Sequence, residues 1–93
     1  MVDVALDTVW SHLRMVNLKN ARWDRVDGGD GGGRWQSWWT IGRRGLADWP
    51  WVVRELKRRG FTGDICLSAE YSDESAVDRL IAEDLAFVKE LLD

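Results

Sequence analysis

The residues best placed to do chemistry sit where two short apolar runs end. Ile65-Cys66-Leu67-Ser68-Ala69 reads as a buried strand, and it closes on a carboxylate, Glu70. An isolated buried charge costs several kcal/mol or more unless a partner or a metal compensates it. Strand alternation puts Ile65, Leu67 and Ala69 on one face and Cys66, Ser68 and Glu70 on the other. An earlier run, "LRMVNLKN", repeats the pattern, with Leu13, Val16 and Leu18 apolar and Met15, Asn17 and Lys19 alternating with them. In a parallel sheet closed into a barrel, the chemistry sits at the C-terminal strand ends. Asn17, Lys19 and Glu70 would then gather at one mouth, and Glu70 can end a buried strand if that end opens into a polar pocket. Spacing alone leaves a second reading open: Glu70 as the first solvated residue after a strand, salt-bridged to Lys19.

A second group of candidates lies between those runs. Residues 21–45, "ARWDRVDGGDGGGRWQSWWTIGRRG", hold Trp23, Trp35, Trp38 and Trp39 together with Arg22, Arg25, Arg34, Arg43 and Arg44. Aromatic rings and guanidinium groups can stack on a sugar or clamp an anion; they can equally form a hydrophobic lid on other structure. "DGGDGGG" lacks the lysine and serine of a phosphate loop and the spaced acids and closing glutamate of a calcium loop, so it reads as a flexible loop. Cys66 reads as a small core residue rather than a nucleophile. His12 has no second ligand at metal spacing and reads as a helix-end residue.

The elements that must position these groups follow from periodicity. Val2, Ala5, Leu6, Val9 and Leu13 have helical spacing. Residues 21–45 show neither helical nor strand period and read as one long Gly/Trp/Arg-rich loop, the kind that is usually functional or disordered. A helix then begins at Asp48, a good N-cap, with Pro50 in the first turn. Val52, Val53 and Leu56 form its stripe, Lys57, Arg58 and Arg59 suit its C-terminal dipole, and Gly60 with Phe61 suits a Schellman ending. After the strand, Ser72 or Asp73 is the expected cap of a last helix with Val77, Leu80, Ile81, Leu85, Val88 and Leu92 at helical spacing. The order is helix, strand, long loop, helix, strand, helix, which predicts an α/β fold with two parallel strands and crossover helices.

Composition excludes several classes. The chain has 93 residues, 45% hydrophobic and 31% charged, which suits a globular protein rather than a disordered one. A net charge of −3 gives no reason to expect nucleic acid or a membrane surface as partner. No run approaches the roughly 18 apolar residues of a span. The N-terminus carries acids early and has no basic region, unlike a signal peptide. A lone cysteine excludes an internal disulfide framework. These features predict a cytoplasmic protein.

Three runs carry a family resemblance: "LRMVNLKNARW", "GLADWPWVVRELKRRGFTGDICLSAEYSD" and "AVDRLIAEDLAFVKELL". Together they resemble the C-terminal part of a sugar phosphate isomerase/epimerase of the xylose-isomerase-like TIM-barrel superfamily. The most specific features are "DWP" opening a helix, "GFTG" closing it, and a strand bearing glutamate before "YSD". The resemblance covers nearly the whole chain outside the glycine-rich insert. It implies strands seven and eight of a (β/α)8 barrel with helices six, seven and eight, and a sugar or polyol substrate. It also implies a divalent metal (Mn, Mg, Co or Zn) in the complete enzyme, with Glu70 as metal ligand and proton-transfer base. Asn17 and Lys19 would contact substrate oxygens, and Trp39, Arg43 and Arg44 would line the mouth. Many members carry the glutamate two residues earlier, where Ser68 stands here. The family's histidine, from a strand reading like "HVHLKD", corresponds to Met15 or Asn17, so this chain by itself need hold no metal.

A full barrel takes about 200 residues or more. The expectation is therefore a single incomplete domain over residues 1–93, a fragment of a barrel and inactive alone. Parallel sheets almost never leave a face and edges uncovered. A competing expectation is thus a non-catalytic interaction module that binds a partner, or itself, through the exposed sheet face, the sheet edges and the Trp-rich loop.

Overall fold

A computed structural model describes residues 2–27 and 31–93. Its elements are α1 (Val2–Val9), β1 (Met15–Leu18), β2 (Asn20–Asp27), β3 (Gly33–Thr40), α2 (Trp49–Arg58), β4 (Asp64–Leu67) and α3 (Val77–Leu92), with short 3-10 turns at Trp10–His12, Gly42–Arg44 and Glu74–Ala76. The fold is mixed α/β. A parallel pair, β1 and β4, runs in the register Met15↔Asp64 to Leu18↔Leu67. A separate antiparallel pair joins β2 to β3.

The parallel pair and its helices form as the apolar spacing dictates. Val16, Leu18, Ile65 and Leu67 face α2 and α3 and pack with Trp49, Val52, Phe87, Val88 and Leu91. Leu18, Val53 and Leu56 are the most deeply buried side chains. Met15, Asn17 and Lys19 lie on the other face and are exposed, while Cys66 and Ser68 are half-buried. In α2, the Asp48 carboxylate accepts the Trp51 N–H at 3.1 Å, and Pro50 lies in the first turn. The helix ends in a full Schellman motif. Phe61 N–H donates to Leu56 C=O, Gly60 N–H donates to Lys57 C=O, and Gly60 has φ 75°.

Four expectations need correction. The first helix stops at Val9 and gives way to a 3-10 turn. Residues 21–45 are not one long loop: most of them form the β2–β3 ribbon, paired from Asn20↔Thr40 to Asp27↔Gly33. Ser72 and Asp73 do not cap the last helix. A 3-10 turn intervenes, α3 starts at Val77 without a side-chain cap, and Ser72 is used elsewhere. The stripe of α3 is also rotated. Asp84, Phe87 and Val88 are buried, whereas Leu85 and Leu92 are about half exposed. Gly28, Gly29 and Asp30, the centre of the glycine-rich run, lie outside the described residues.

Candidate functional site

The C-terminal ends of β1 and β4 lie side by side, and the chain leaves each of them abruptly. At β1 a single residue, Lys19, separates the parallel strand from β2. At β4 the ladder continues one residue past the strand, with both the Ser68 N–H and the Ser68 hydroxyl directed at Leu18 C=O at 3.4 Å. Ala69 then takes φ 56°, the left-handed region that side-chain-bearing residues seldom occupy. That turn ends the alternation, so Glu70 does not continue the Cys66–Ser68 face as an extended strand would place it. Glu70 is exposed.

Two contacts draw the hairpin to these ends. The Lys19 ammonium lies 5.1 Å from the centre of the Trp39 ring. Ser72 holds the Trp39 backbone from both sides: its hydroxyl accepts the Trp39 N–H at 2.9 Å, and its own N–H donates to Trp39 C=O at 3.0 Å. Residues 68–72, Lys19 and Trp39 therefore converge. Glu70 has no hydrogen bond or ion pair among the described residues, and Lys19 sits over Trp39 instead of bridging to it. Asn17 is exposed on the uncovered face of β1.

Arg43 does not join this group. Arg43 pairs with Glu90 of α3 at 2.7 Å, and its guanidinium lies 4.7 Å from the Phe87 ring centre. Arg44 is exposed in the same 3-10 turn. Expected at the mouth, Arg43 instead lies against α3 through Phe87 and Glu90.

The base beneath the site rests on buried polar groups that spacing did not single out. Asn20 is buried, and its amide donates to Gly42 C=O at 2.9 Å and Ala47 C=O at 3.0 Å. Its carbonyl accepts the N–H groups of Ala21 and Ala47. A Cβ at Gly45 would fall 2.0 Å from that carbonyl oxygen, so only glycine allows the approach. Asp84 is equally buried, accepting the Gly42 N–H at 2.7 Å and the Tyr71 hydroxyl. Burial, and then the bond to the Asp84 carboxylate, push the Tyr71 hydroxyl well above its ordinary value of 10.0. One signal for Asp84 was present in the sequence: it shares a helical face with Phe87, Val88 and Leu91, and a charge in an apolar stripe implies a buried partner.

A cavity of about 470 Å³ opens at the other end of the strands, lined by Trp10, Leu13, Arg14, Arg59, Phe61 and Gly63 among others. Its cations are already engaged. Arg59 pairs with Asp7 at 2.6 Å and Glu55 at 3.2 Å and lies over Trp10, while Arg14 bonds the carbonyls of Ser11 and Leu13.

The residues present do not make a metal centre. Among the described residues no group of three or more His, Cys, Asp and Glu side chains is arranged to hold an ion. Where the resemblance would need a histidine the chain has Met15, at the far end of β1 opposite Asp64, or Asn17, and Glu70 alone offers too few donors for a divalent cation. Comparison of the chain with protein-family models, with curated proteins and with solved structures gave no match. No helix among the described residues is long and apolar enough to cross a membrane.

Proposed function

We propose that this chain contributes the closing strands of a sugar phosphate isomerase/epimerase-like barrel. In this reading the C-terminal ends of β1 and β4 are the reaction end, and the isolated chain is inactive. The observation that carries the reading is the convergence of Lys19, Trp39 and the Ser68–Ser72 turn at one end of a parallel pair. Glu70 stands there without a hydrogen bond or ion pair among the described residues, on a turn that includes a left-handed alanine. A carboxylate on the turn that meets a cation and an aromatic ring suits a hydroxylated substrate: the ring stacks, the ammonium and Asn17 hold oxygens, and the carboxylate moves a proton between adjacent carbons. A metal belongs to this reading only where ligands from outside the chain join Glu70. The protein belongs among soluble carbohydrate enzymes of the cytoplasm on this proposal.

Turnover tests it directly. A ketose phosphate is incubated with the chain and Mn2+ or Mg2+, and the epimer is quantified. The chain alone gives no product; robust turnover by the 93 residues overturns the claim of inactivity. In a barrel completed by its remaining strands, Glu70→Gln lowers the rate by two or more powers of ten, while Ser68→Ala does much less. The reverse pattern would move the reactive position to Ser68.

A second reading keeps one specific observation on its side. Met15 on the uncovered sheet face and Trp23 and Trp35 on the ribbon are all at least half exposed, as an interaction module would require. Sedimentation separates the two readings, since a clean folded monomer argues against self-association through this face.

A further inference from the structure

The β2–β3 ribbon carries an ordered row of tryptophans that the strand-end site does not use. Directly opposed residues of an antiparallel pair share a face, and faces alternate along the strand. The pairs Ala21↔Trp39, Trp23↔Ser37 and Arg25↔Trp35 are therefore on one face. Trp39, Trp23 and Trp35 zigzag along it from the base outward and are 40%, 58% and 66% exposed. From Trp35 to Trp39 the row spans about 13 Å, at the usual strand rise. Its rings are not spent on one another: the one ring pair in contact among the described residues is Trp10 with Phe61.

Each end of the row carries a cation. Lys19 lies over Trp39 at the base. Arg25, opposite Trp35, lays its guanidinium across Gly33, where a Cβ would come 2.3 Å from Nε. Neither cation forms an ion pair with a carboxylate among the described residues.

We propose that this face is a binding platform for an acidic oligosaccharide. Pyranose rings present flat C–H faces that lie on indole rings, and a row of this length spans about three linked hexoses. Carboxylates at the rims of the sugars would meet Lys19 and Arg25. A nucleic acid would offer flat rings and anions too, but its binding rests on many phosphate contacts, and two cations on this face are too few to supply them. A folded protein partner would need a larger complementary surface than three separated rings supply. The platform extends the sugar reading outward and shares Lys19 and Trp39 with it, so it rests in part on that reading; Trp23 and Trp35 belong to the platform alone.

The test is a tryptophan-fluorescence titration of the full chain with trigalacturonate, with maltotriose as the neutral control. Trigalacturonate saturates the signal with Kd in the roughly millimolar range or tighter, and maltotriose binds more weakly. Trp23→Ala and Trp35→Ala each weaken binding about tenfold or more. Both rings are exposed, so far-UV circular dichroism and the urea midpoint stay as in the parent; if one variant misfolds, the other carries the test. Lys19→Gln combined with Arg25→Gln erases the preference for the acidic sugar. Three results overturn the proposal: no saturation by about 10 mM, binding unchanged in both tryptophan variants, or a dimer in sedimentation that Trp23→Ala dissolves. Because Trp23 and Trp35 lie outside the strand-end site, unchanged binding in those variants counts against the platform and leaves the epimerase reading to its own assay.

Discussion

The two sheets of this protein have the same number of strands and opposite fates. The parallel β1–β4 pair is only four residues long on each side, yet it holds the core, because its inner face is covered by α2 and α3. The antiparallel β2–β3 pair is twice as long and buries almost nothing beyond its base: Asn20 and Thr40 are buried, while every described residue from Arg25 through Ser37 is exposed. A lone two-stranded ribbon is marginal in water. This one is anchored by the Asn20 amide, by Leu46 N–H donating to Ala21 C=O at 2.9 Å, and by the Ser72 clamp on Trp39. Backbone pairing thus decides where the ribbon runs, and packing decides where stability resides. The ribbon is free to carry large exposed side chains, because the fold does not use them.

If that division is right, truncation in the parallel half has the largest effect. Leu18→Ala removes a side chain 1% exposed at the centre of the core. It should cost about 3 kcal/mol in urea unfolding; a cost below about 1 kcal/mol would mean the core lies elsewhere. Next comes the anchor. Asn20→Leu removes both donors and the acceptor that satisfy Gly42, Ala21 and Ala47 and strands the buried Gly42 carbonyl, for about 2 kcal/mol. Its signature is local as well, because amides of β2 and β3 should lose hydrogen-exchange protection before those of β1 and β4.

A smaller effect, about 1 kcal/mol at neutral pH, is expected for Tyr71→Phe, which strands one Asp84 oxygen. The pH dependence has a definite sign. The folded state holds the Tyr71 proton more tightly than the unfolded state does, so its stabilisation is complete below the ordinary value of 10.0. Stability then falls as pH rises above 10.0, where the unfolded tyrosine ionises and the folded one does not. In Tyr71→Phe that alkaline decline should flatten, read as the urea midpoint between pH 8 and pH 11. Smallest of all is Trp35→Ala, which should change stability by no more than about 0.5 kcal/mol. A loss of 2 kcal/mol there would show that the ribbon is part of the core and end the contrast.

The same contrast explains what could be read from the residues. Val16, Leu18, Ile65, Leu67, Val53 and Leu56 betray their elements because burial on one face imposes a period. Asp48, Pro50 and Gly60 betray α2 because its ends need particular backbone chemistry. The ribbon has no buried face to impose alternation, so Trp23, Trp35 and Trp39 looked like loop residues; their order appears only once Trp23 is seen opposite Ser37. At the strand ends, Lys19 and Trp39 lie together, a contact between residues 20 apart in sequence that neither run's spacing encodes. Arg43 went to Glu90 and Phe87, because a long side chain in a short turn takes the nearest carboxylate and ring. The roles of Asn20, Ser72 and Asp84 depend on partners 22, 33 and 42 residues away in sequence, which no local spacing encodes.

In the proposed function the C-terminal ends of β1 and β4, and not the cavity at their N-terminal ends, receive a sugar phosphate. Amide chemical shifts of the isolated chain, titrated with D-ribulose 5-phosphate, test this most directly. Saturable shifts are expected only at residues 17–19, Trp39 and residues 68–72, with residues 10–14 and 59–63 unmoved. Shifts clustered around Trp10, Arg14, Arg59 and Gly63, or no saturable shift at all, would contradict it.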